Sequence, residues 1–318
     1  MGDLFEKREA RAMLLTEEEP FDSDDHIFEL KLDGIRCLLY LDPKAAMTDL
    51  RNKRNKHLNN TYPELSQLHK QALDKCIVDG ELIVMDEGKP DFYEVQRRSL
   101  MMDSFKIELA AKMKPVIFVA YDLVYLKDEE LIHKSLMERK KRLQETIKEN
   151  EAISISRYIE NKGIEFYETV ANQDLEGVVA KRKDSIYYMG KRSKAWVKFK
   201  KMYDADFVIV GYVPSVLGGI KSLLLAVYDE AGKLVDQGHV SLGISKEDAK
   251  KIMKFAYINE MESPFEQDKF NDTEWFKPEL VCIVEFMMRT KSGHLRQPVF
   301  KGLRQDKLVS ECTLEQFN

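Results

Sequence analysis

The sequence predicts an α+β protein in two parts, a large domain of strands and flanking helices over residues 1–202 and a small antiparallel barrel over residues 203–318. Three observations carry that expectation. The chain has 318 residues, enough for one large or two ordinary domains. Up to about residue 202, apolar strand-like runs alternate with helical stretches that open on capping residues. Past Tyr203 the runs shorten, alternate with period two, and are joined by Gly-containing turns such as Gly218-Gly219 and Ala231-Gly232-Lys233.

In order, residues 1–25 read as an entry segment in which Met13-Leu14-Leu15 docks and Glu17-Glu18-Glu19 is a solvated face. Two strands between His26 and Leu41 flank Lys31-Leu32-Asp33-Gly34-Ile35-Arg36. Asp49–Lys56 is a basic, Asn-rich loop. Thr61-Tyr62-Pro63-Glu64 fits a capping box opening a helix to about Leu73. Cys76–Met85 is strand-like on both sides of Asp79-Gly80-Glu81, where a two-residue hairpin turn is the ordinary reading. A helix over Phe92–Met101 precedes a buried strand over Pro115–Tyr125 that holds Asp122. Ser135-Leu136-Met137-Glu138 is a second capping box. It opens a charged helix through Arg139, Lys140, Lys141 and Arg142 to about Ile147, read as a solvated face. A strand over Ile153–Tyr158 and a helix over Ile164–Ala171 complete the first part. The barrel draws strands from Asp206–Val213, Ser222–Tyr228, Leu234–Val240 and Leu280–Met288, with a helix near Ser245–Ala256.

Composition narrows the function. A formal net charge of -5 supplies no global basic field, so a nucleic-acid partner would have to meet local positive charge. Cys37, Cys76, Cys282 and Cys312 are far apart, which argues against a thiolate zinc site or a disulfide framework and for a reducing compartment. The segment Met1–Lys7 is too charged for a signal peptide, and no apolar run is long enough for a membrane span. The expected location is cytoplasmic, with no membrane partner.

Charges stand where strands should be apolar: Lys31, Asp33, Arg36, Arg51, Glu81, Glu176, Lys181, Lys198 and Lys200. For Lys31 two readings stay open, a solvated hairpin edge or a nucleophilic lysine at a pocket mouth. Period two puts Lys198 and Lys200 on one strand face and Val197 and Phe199 on the other. That face is either solvated or a phosphate clamp. Neither Gly-x-x-x-x-Gly-Lys-Ser/Thr nor Gly-x-Gly-x-x-Gly occurs, so phosphate binding would rest on side chains.

Lys31-Leu32-Asp33-Gly34-Ile35-Arg36 resembles the nucleotidyl-lysine motif of the covalent nucleotidyltransferases, the ATP-dependent DNA ligases, RNA ligases and mRNA capping enzymes. Further motifs follow in family order: Arg51-Asn52 (after Leu50, where Ser is usual), Asp79-Gly80-Glu81, Tyr121-Asp122-Leu123, Glu176–Lys181 and Trp196–Lys200. The stretch Arg289–Lys307, with Arg304, Asp306 and Lys307 in the sixth motif, and the loop Ser185–Ser193 are most similar to the ligase module of bacterial end-joining enzymes.

The resemblance implies a nucleotidyltransferase (adenylation) domain of antiparallel sheets with flanking helices, followed by a C-terminal OB-fold β-barrel. It implies an ATP-dependent DNA ligase that seals 5′-phosphate/3′-hydroxyl nicks in duplex DNA through lysyl-AMP and DNA-adenylate. An RNA ligase or a capping-type nucleotidyltransferase is the alternative. Lys31 would carry AMP, and Tyr121, Glu29-Leu30 and Glu81 would hold adenine and ribose. Lys181, Lys198 and Lys200 would supply the field that activates a lysine otherwise protonated at neutral pH. Glu176, with Asp33, would hold Mg²⁺, for which Mn²⁺ could substitute. Asp33 would also position the terminal hydroxyl, Arg36 and Arg51 would hold phosphate, and Arg304 and Lys307 would serve pyrophosphate release. Lys181–Lys201, Arg51–Lys56, Lys291, Arg296 and Lys301 are expected backbone contacts on nicked DNA. The expected state is a monomer, with a DNA end-binding protein as a further partner.

Overall fold

The computed structural model describes residues 3–173, 175–200, 202–265, 272–290 and 293–317. The chain divides into two units, Met1–Lys200 and Lys201–Asn318.

In the first unit, period-two alternation sorts side chains into layers. One sheet runs, in spatial order, Leu14–Glu17, Arg192–Lys200, Gly177–Arg182, Ser23–Leu30, Tyr158–Asn161. Phe28, Val178, Ala180, Val197 and Phe199 form an apolar cluster with Val170 of helix Gly163–Asn172. The alternate residues Ile27 and Trp196 join a different cluster. The second sheet runs Met47–Asn52, Ile35–Asp42, Cys76–Asp86, Val116–Leu126, Glu129–Glu130. Its Leu38, Tyr40, Ile77 and Val124 pack in the cluster of Ile27 and Trp196, so the two sheets share an apolar layer. Cys37, Leu39, Val78, Leu82 and Phe118 cluster with Val95 of helix Phe92–Ser99 and Leu143 of helix Leu136–Thr146. Most neighbouring strands are antiparallel. Leu14–Glu17 and Ile153–Ile155 add parallel pairs.

The strands before and after Lys31 belong to different sheets. Ser23–Leu30 lies in the first and Ile35–Asp42 in the second. The Lys31–Gly34 link therefore crosses between them, and the hairpin-edge reading of its charges fails. Gly34 permits the crossing, because a Cβ there would lie 2.2 Å from the Leu82 carbonyl oxygen and 2.8 Å from Glu81 Cγ.

Several stretches depart from their sequence patterns. The expected loop Asp49–Lys56 begins as strand through Asn52, and a helix not expected from the sequence spans Ser104–Met113. Asp79-Gly80 is not a turn; Cys76–Asp86 is one strand, and a Cβ on Gly80 would lie 2.4 Å from the Phe118 ring. The helix expected to reach Leu73 is two 3-10 turns, Pro63–Leu65 and Leu68–Gln71. Glu64 closes no capping box there. Its carboxylate binds the buried Arg98 guanidinium and accepts from Val116 N at 2.9 Å, and a charge-assisted pair outweighs a cap. Helix Leu136–Thr146 is not a solvated face, since Arg139 is 0% exposed and Lys140 3%. Arg139 forks onto Asp122, with Nε and Nη2 each donating at 2.8 Å. An opposite charge inside the fold takes the place of water.

In the second unit the spatial strand order is Leu234–Val240, Ile220–Tyr228, Tyr203–Pro214, Glu274–Phe286, Val299–Arg304. A bridge between Leu242 and Val299 joins the chain after the first of these to the last, curling the sheet toward closure. Helix Lys246–Ile258, capped by Ser245, packs Ile252 and Ala256 against Phe207, Leu225, Phe276 and Val284. This is the five-stranded OB-fold architecture.

Candidate active site

The faces that the two sheets turn toward each other are apolar in one region and charged in another. Alternation carries Glu29, Lys181, Lys198 and Lys200 onto the face of Ile27 and Trp196. Arg36, Asp79 and Glu81 share the parity of Leu38 and Ile77. The cleft here is lined by Glu29, Leu30, Lys31, Arg36, Glu81, Tyr121, Lys181 and Trp196, with Leu15, Leu32 and Val179.

The inner wall centres on Glu29, only 2% exposed. Lys140 pairs with its Oε1, Lys181 Nζ lies 2.7 Å from Oε2, and Ser156 Oγ donates to Oε2 at 3.3 Å. Burial alone would raise this carboxyl; Lys140 and then Lys181 outweigh it and hold the group below its ordinary value. Burial pushes the Lys181 ammonium down to about 8, although Glu29 opposes the shift. That ammonium also sits 4.5 Å from the Tyr121 ring centre and 4.4 Å from the Trp196 ring centre.

Arg36 is committed to a fork on buried Asp79, Nε to Oδ1 at 2.7 Å and Nη2 to Oδ2 at 2.6 Å. Tyr187 OH donates to the same Oδ2 at 2.5 Å. The Arg36 guanidinium lies 4.7 Å from the Tyr121 ring centre, and Tyr121 OH donates to Glu81 Oε2 at 3.5 Å. Burial raises Glu81 to about 8 against the pull of Arg36 and Lys31.

Lys31 stands apart from this wall. Its Nζ lies 2.7 Å from Glu176 Oε1, and its backbone N donates to Gly177 O at 2.9 Å. Burial raises the Glu176 carboxyl, although Lys31 opposes, and its Oε2 is buried without a partner. Lys200 pairs in register with Gly177 and Lys198 with Val179. The Lys200 ammonium is pushed down to about 8 by burial, then by Lys198, with Lys31 adding to the repulsion. Lys198 Nζ lies 2.9 Å from Glu17 Oε2, an ion pair made from the solvated face on which Glu17, Glu18 and Glu19 all stand exposed.

The expected lysine group therefore divides. Lys181 is four residues along its strand from Gly177, roughly 13 Å at the strand rise. It belongs with Glu29 on the inner wall, while Lys198 and Lys200 keep company with Lys31. Arg51 does not line the cleft; it bonds Asp49 Oδ2 at 3.0 Å, Asn55 Oδ1 at 3.1 Å and His57 Nε2 at 2.7 Å. In the second unit Arg304 forks onto Asp306 and reaches Asp206 Oδ1 at 3.2 Å, while Lys307 lies 3.6 Å from Asp206 Oδ2. Lys301 pairs with Glu285 at 3.0 Å. Lys291 and Lys201 lie outside the described residues.

Sequence reasoning missed Lys140, Ser156 and Asp206 as partners of charged groups. A signal for Lys140 existed. Leu136, Arg139, Lys140 and Leu143 stand at helical spacing, and two apolar residues of that stripe are buried. The two charges between them share the buried face.

Among the described residues, no group of three or more His, Cys, Asp or Glu could hold a metal ion. Glu176 Oε2 nonetheless offers a buried oxygen without a partner, with the Asp33 charge acting on the same carboxyl. One or two carboxylates suit Mg²⁺, which keeps water and phosphate oxygens for its other positions.

Comparison with known proteins adds to this geometry. The family model described as ATP dependent DNA ligase domain matches residues 13–200, and that of the ATP dependent DNA ligase C terminal region matches residues 217–307. A DNA ligase of Thermococcus fumicolans is 32% identical over 317 residues, covering 92% of this chain and 54% of its own. The multifunctional non-homologous end joining DNA repair protein LigD of Mycobacterium tuberculosis is 32% identical over 299 residues, covering 91% of this chain and 37% of its own. The chain thus spans about half the length of the first relative and little more than a third of the second. A solved structure of mycobacterial DNA ligase D complexed with ATP and MES is similar over 98% of this chain and 99% of its own, with 28% identity and a TM-score of 0.57.

Proposed function

This chain belongs to the ATP-dependent DNA ligase family, and from that membership we propose that it seals 5′-phosphate/3′-hydroxyl nicks in duplex DNA through AMP carried on Lys31. The observation that carries the reading is the position of the Lys31 ammonium. It lines the cleft between the two sheets, holds Glu176 at 2.7 Å, and has Lys198 and Lys200 in its company.

In this reading ATP is the first substrate. Lys31 gives up a proton, for which Glu176 Oε1 is an acceptor in place. Its nitrogen then bonds to the α-phosphorus as the bond to pyrophosphate breaks. Lys198 and Lys200 offset the charge on the phosphoryl oxygens. Glu176 with Asp33 would hold Mg²⁺, or Mn²⁺ in its place, which would neutralise phosphate charge. Tyr121 and Glu29 would meet the base, and Glu81 the ribose. Arg36, forked onto Asp79, serves by fixing the wall behind Tyr121. AMP then passes to the 5′-phosphate of the nick, and the 3′-hydroxyl displaces it. Asp33 would act at that hydroxyl. Arg304 and Lys307 would act on the phosphates during the first step, and Arg51, held by Asp49 and Asn55 away from the cleft lining, would meet the phosphates of the nicked DNA.

The test is incubation with labelled ATP or GTP, followed by nicked duplexes. Label from ATP should appear on the protein and vanish in Lys31→Ala with its fold intact. Labelling by GTP alone would sink the reading, and sealing of RNA with failure on DNA would move the chain to the RNA ligases. A monomeric state and cytoplasmic action on the nucleoid complete the proposal. A DNA end-binding protein should raise the sealing of double-strand ends without altering the sealing of nicks.

A further inference from the structure

Lys140 lies outside every motif, yet it is among the buried charges of the fold. A helix position that only had to pack would carry Leu or Met. Instead the ammonium pairs with Glu29 Oε1, across from the helix to the first sheet. Lys181, from a second strand, takes Oε2 at 2.7 Å. Glu29 lines the cleft and Lys140 does not. With Lys181 alone the carboxylate could turn about its terminal torsion, which is broad. With one cation on each oxygen, supplied by different elements, its plane is set.

We propose that Lys140 is a positioning residue for nucleotide choice, pinning Glu29 Oε1 so that the carboxylate faces the cleft as an acceptor for the exocyclic amine of adenine. The inference rests on the ligase reading for the identity of the site. Adenine presents an amino donor at C6, whereas guanine presents a carbonyl acceptor. A fixed carboxylate accepts from the first and repels the second. Lys140 reaches the cleft through Glu29 and through its repulsion of Lys181 on the same carboxylate, so its loss should be felt where ATP is chosen and not where DNA ends are joined.

The wild-type chain is first labelled from ATP; absence of label there would overturn the ligase reading itself and, with it, the role given to Lys140. In Lys140→Met, the ATP concentration for half-maximal labelling should rise about tenfold or more, as expected for losing a hydrogen bond to a charged group. The preference for ATP over GTP should narrow. Sealing of a nick that already carries 5′-adenylate should stay within about twofold of wild type, and Lys140→Arg should restore most of the ATP response. Glu29→Gln alone and Glu29→Gln with Lys140→Met should agree within about twofold. With wild-type labelling in hand, the inference alone is overturned if labelling and sealing fall together, if the two substitutions add independently, or if Lys140→Met labels like wild type. Should Lys140→Met lose its cooperative melt, Lys140→Gln carries the same comparisons.

Discussion

Lys31 Nζ and Glu176 Oε1 lie 2.7 Å apart, and the backbone of the same two segments is tied by Lys31 N donating to Gly177 O at 2.9 Å. The ion pair is thus held from both ends, by its charges and by the chain that bears them. A nucleophile on a bare loop would lack this, and the proposed chemistry needs its nitrogen in one place.

Glu176→Gln keeps the shape and the acceptor but removes the charge. Formation of lysyl-AMP is expected to slow about 10²-fold or more. The Mg²⁺ concentration for half-maximal labelling is expected to rise about tenfold. Labelling followed across a metal titration checks both, and an unchanged metal requirement would take Glu176 out of the metal site.

Lys200 supplies a pH limit. Its ammonium is pushed down to about 8, so it is charged below that pH and neutral above it. The KM for ATP should climb as pH passes 8. Lys200→Arg, which stays charged, should flatten that climb. A KM–pH series on both proteins decides it.

Glu81 links the site to stability. Its folded value is raised from 4.5 to about 8, so between those values the folded chain keeps a proton that the unfolded chain has released. Its contribution is fully present below pH 4.5 and is lost as pH rises to 8. Lys181 and Lys200, both lowered to about 8, act only above that window. Thermal melts from pH 5 to 8 should fall less steeply in Glu81→Gln, by a few degrees (~2–4 °C per kcal/mol for a chain of this size). Parallel curves would show that Glu81 titrates as an ordinary carboxyl.

Arg139→Met strands Asp122 in the interior. Removing one member of a buried pair is expected to destabilise the fold by about 3–5 kcal/mol. Arg139→Met with Asp122→Leu should recover much of the loss, because neither charge then remains unpaired. Denaturant unfolding of the single and double variants measures this.

Some of this was legible in the linear chain. The spacing of Lys31, Asp33, Gly34 and Arg36 marked the nucleophile candidate. Alternation alone set Lys198 and Lys200 on the face opposite Val197 and Phe199, and the structure separates them in that way. Both are local properties, set by motif spacing and by the period of a strand.

Other features only the tertiary structure decided. Ser23–Leu30 and Ile35–Asp42 are neighbours in sequence and strands of different sheets, because Gly34 lets the chain pass against Leu82. Lys181 parts from Lys198 and Lys200 because register, not residue type, sets distance along a sheet. Arg139 and Lys140 look solvated until Asp122 and Glu29 are brought against them from other strands. A charge declares itself in the sequence; whether water or a buried partner satisfies it depends on what the fold brings within a few ångströms.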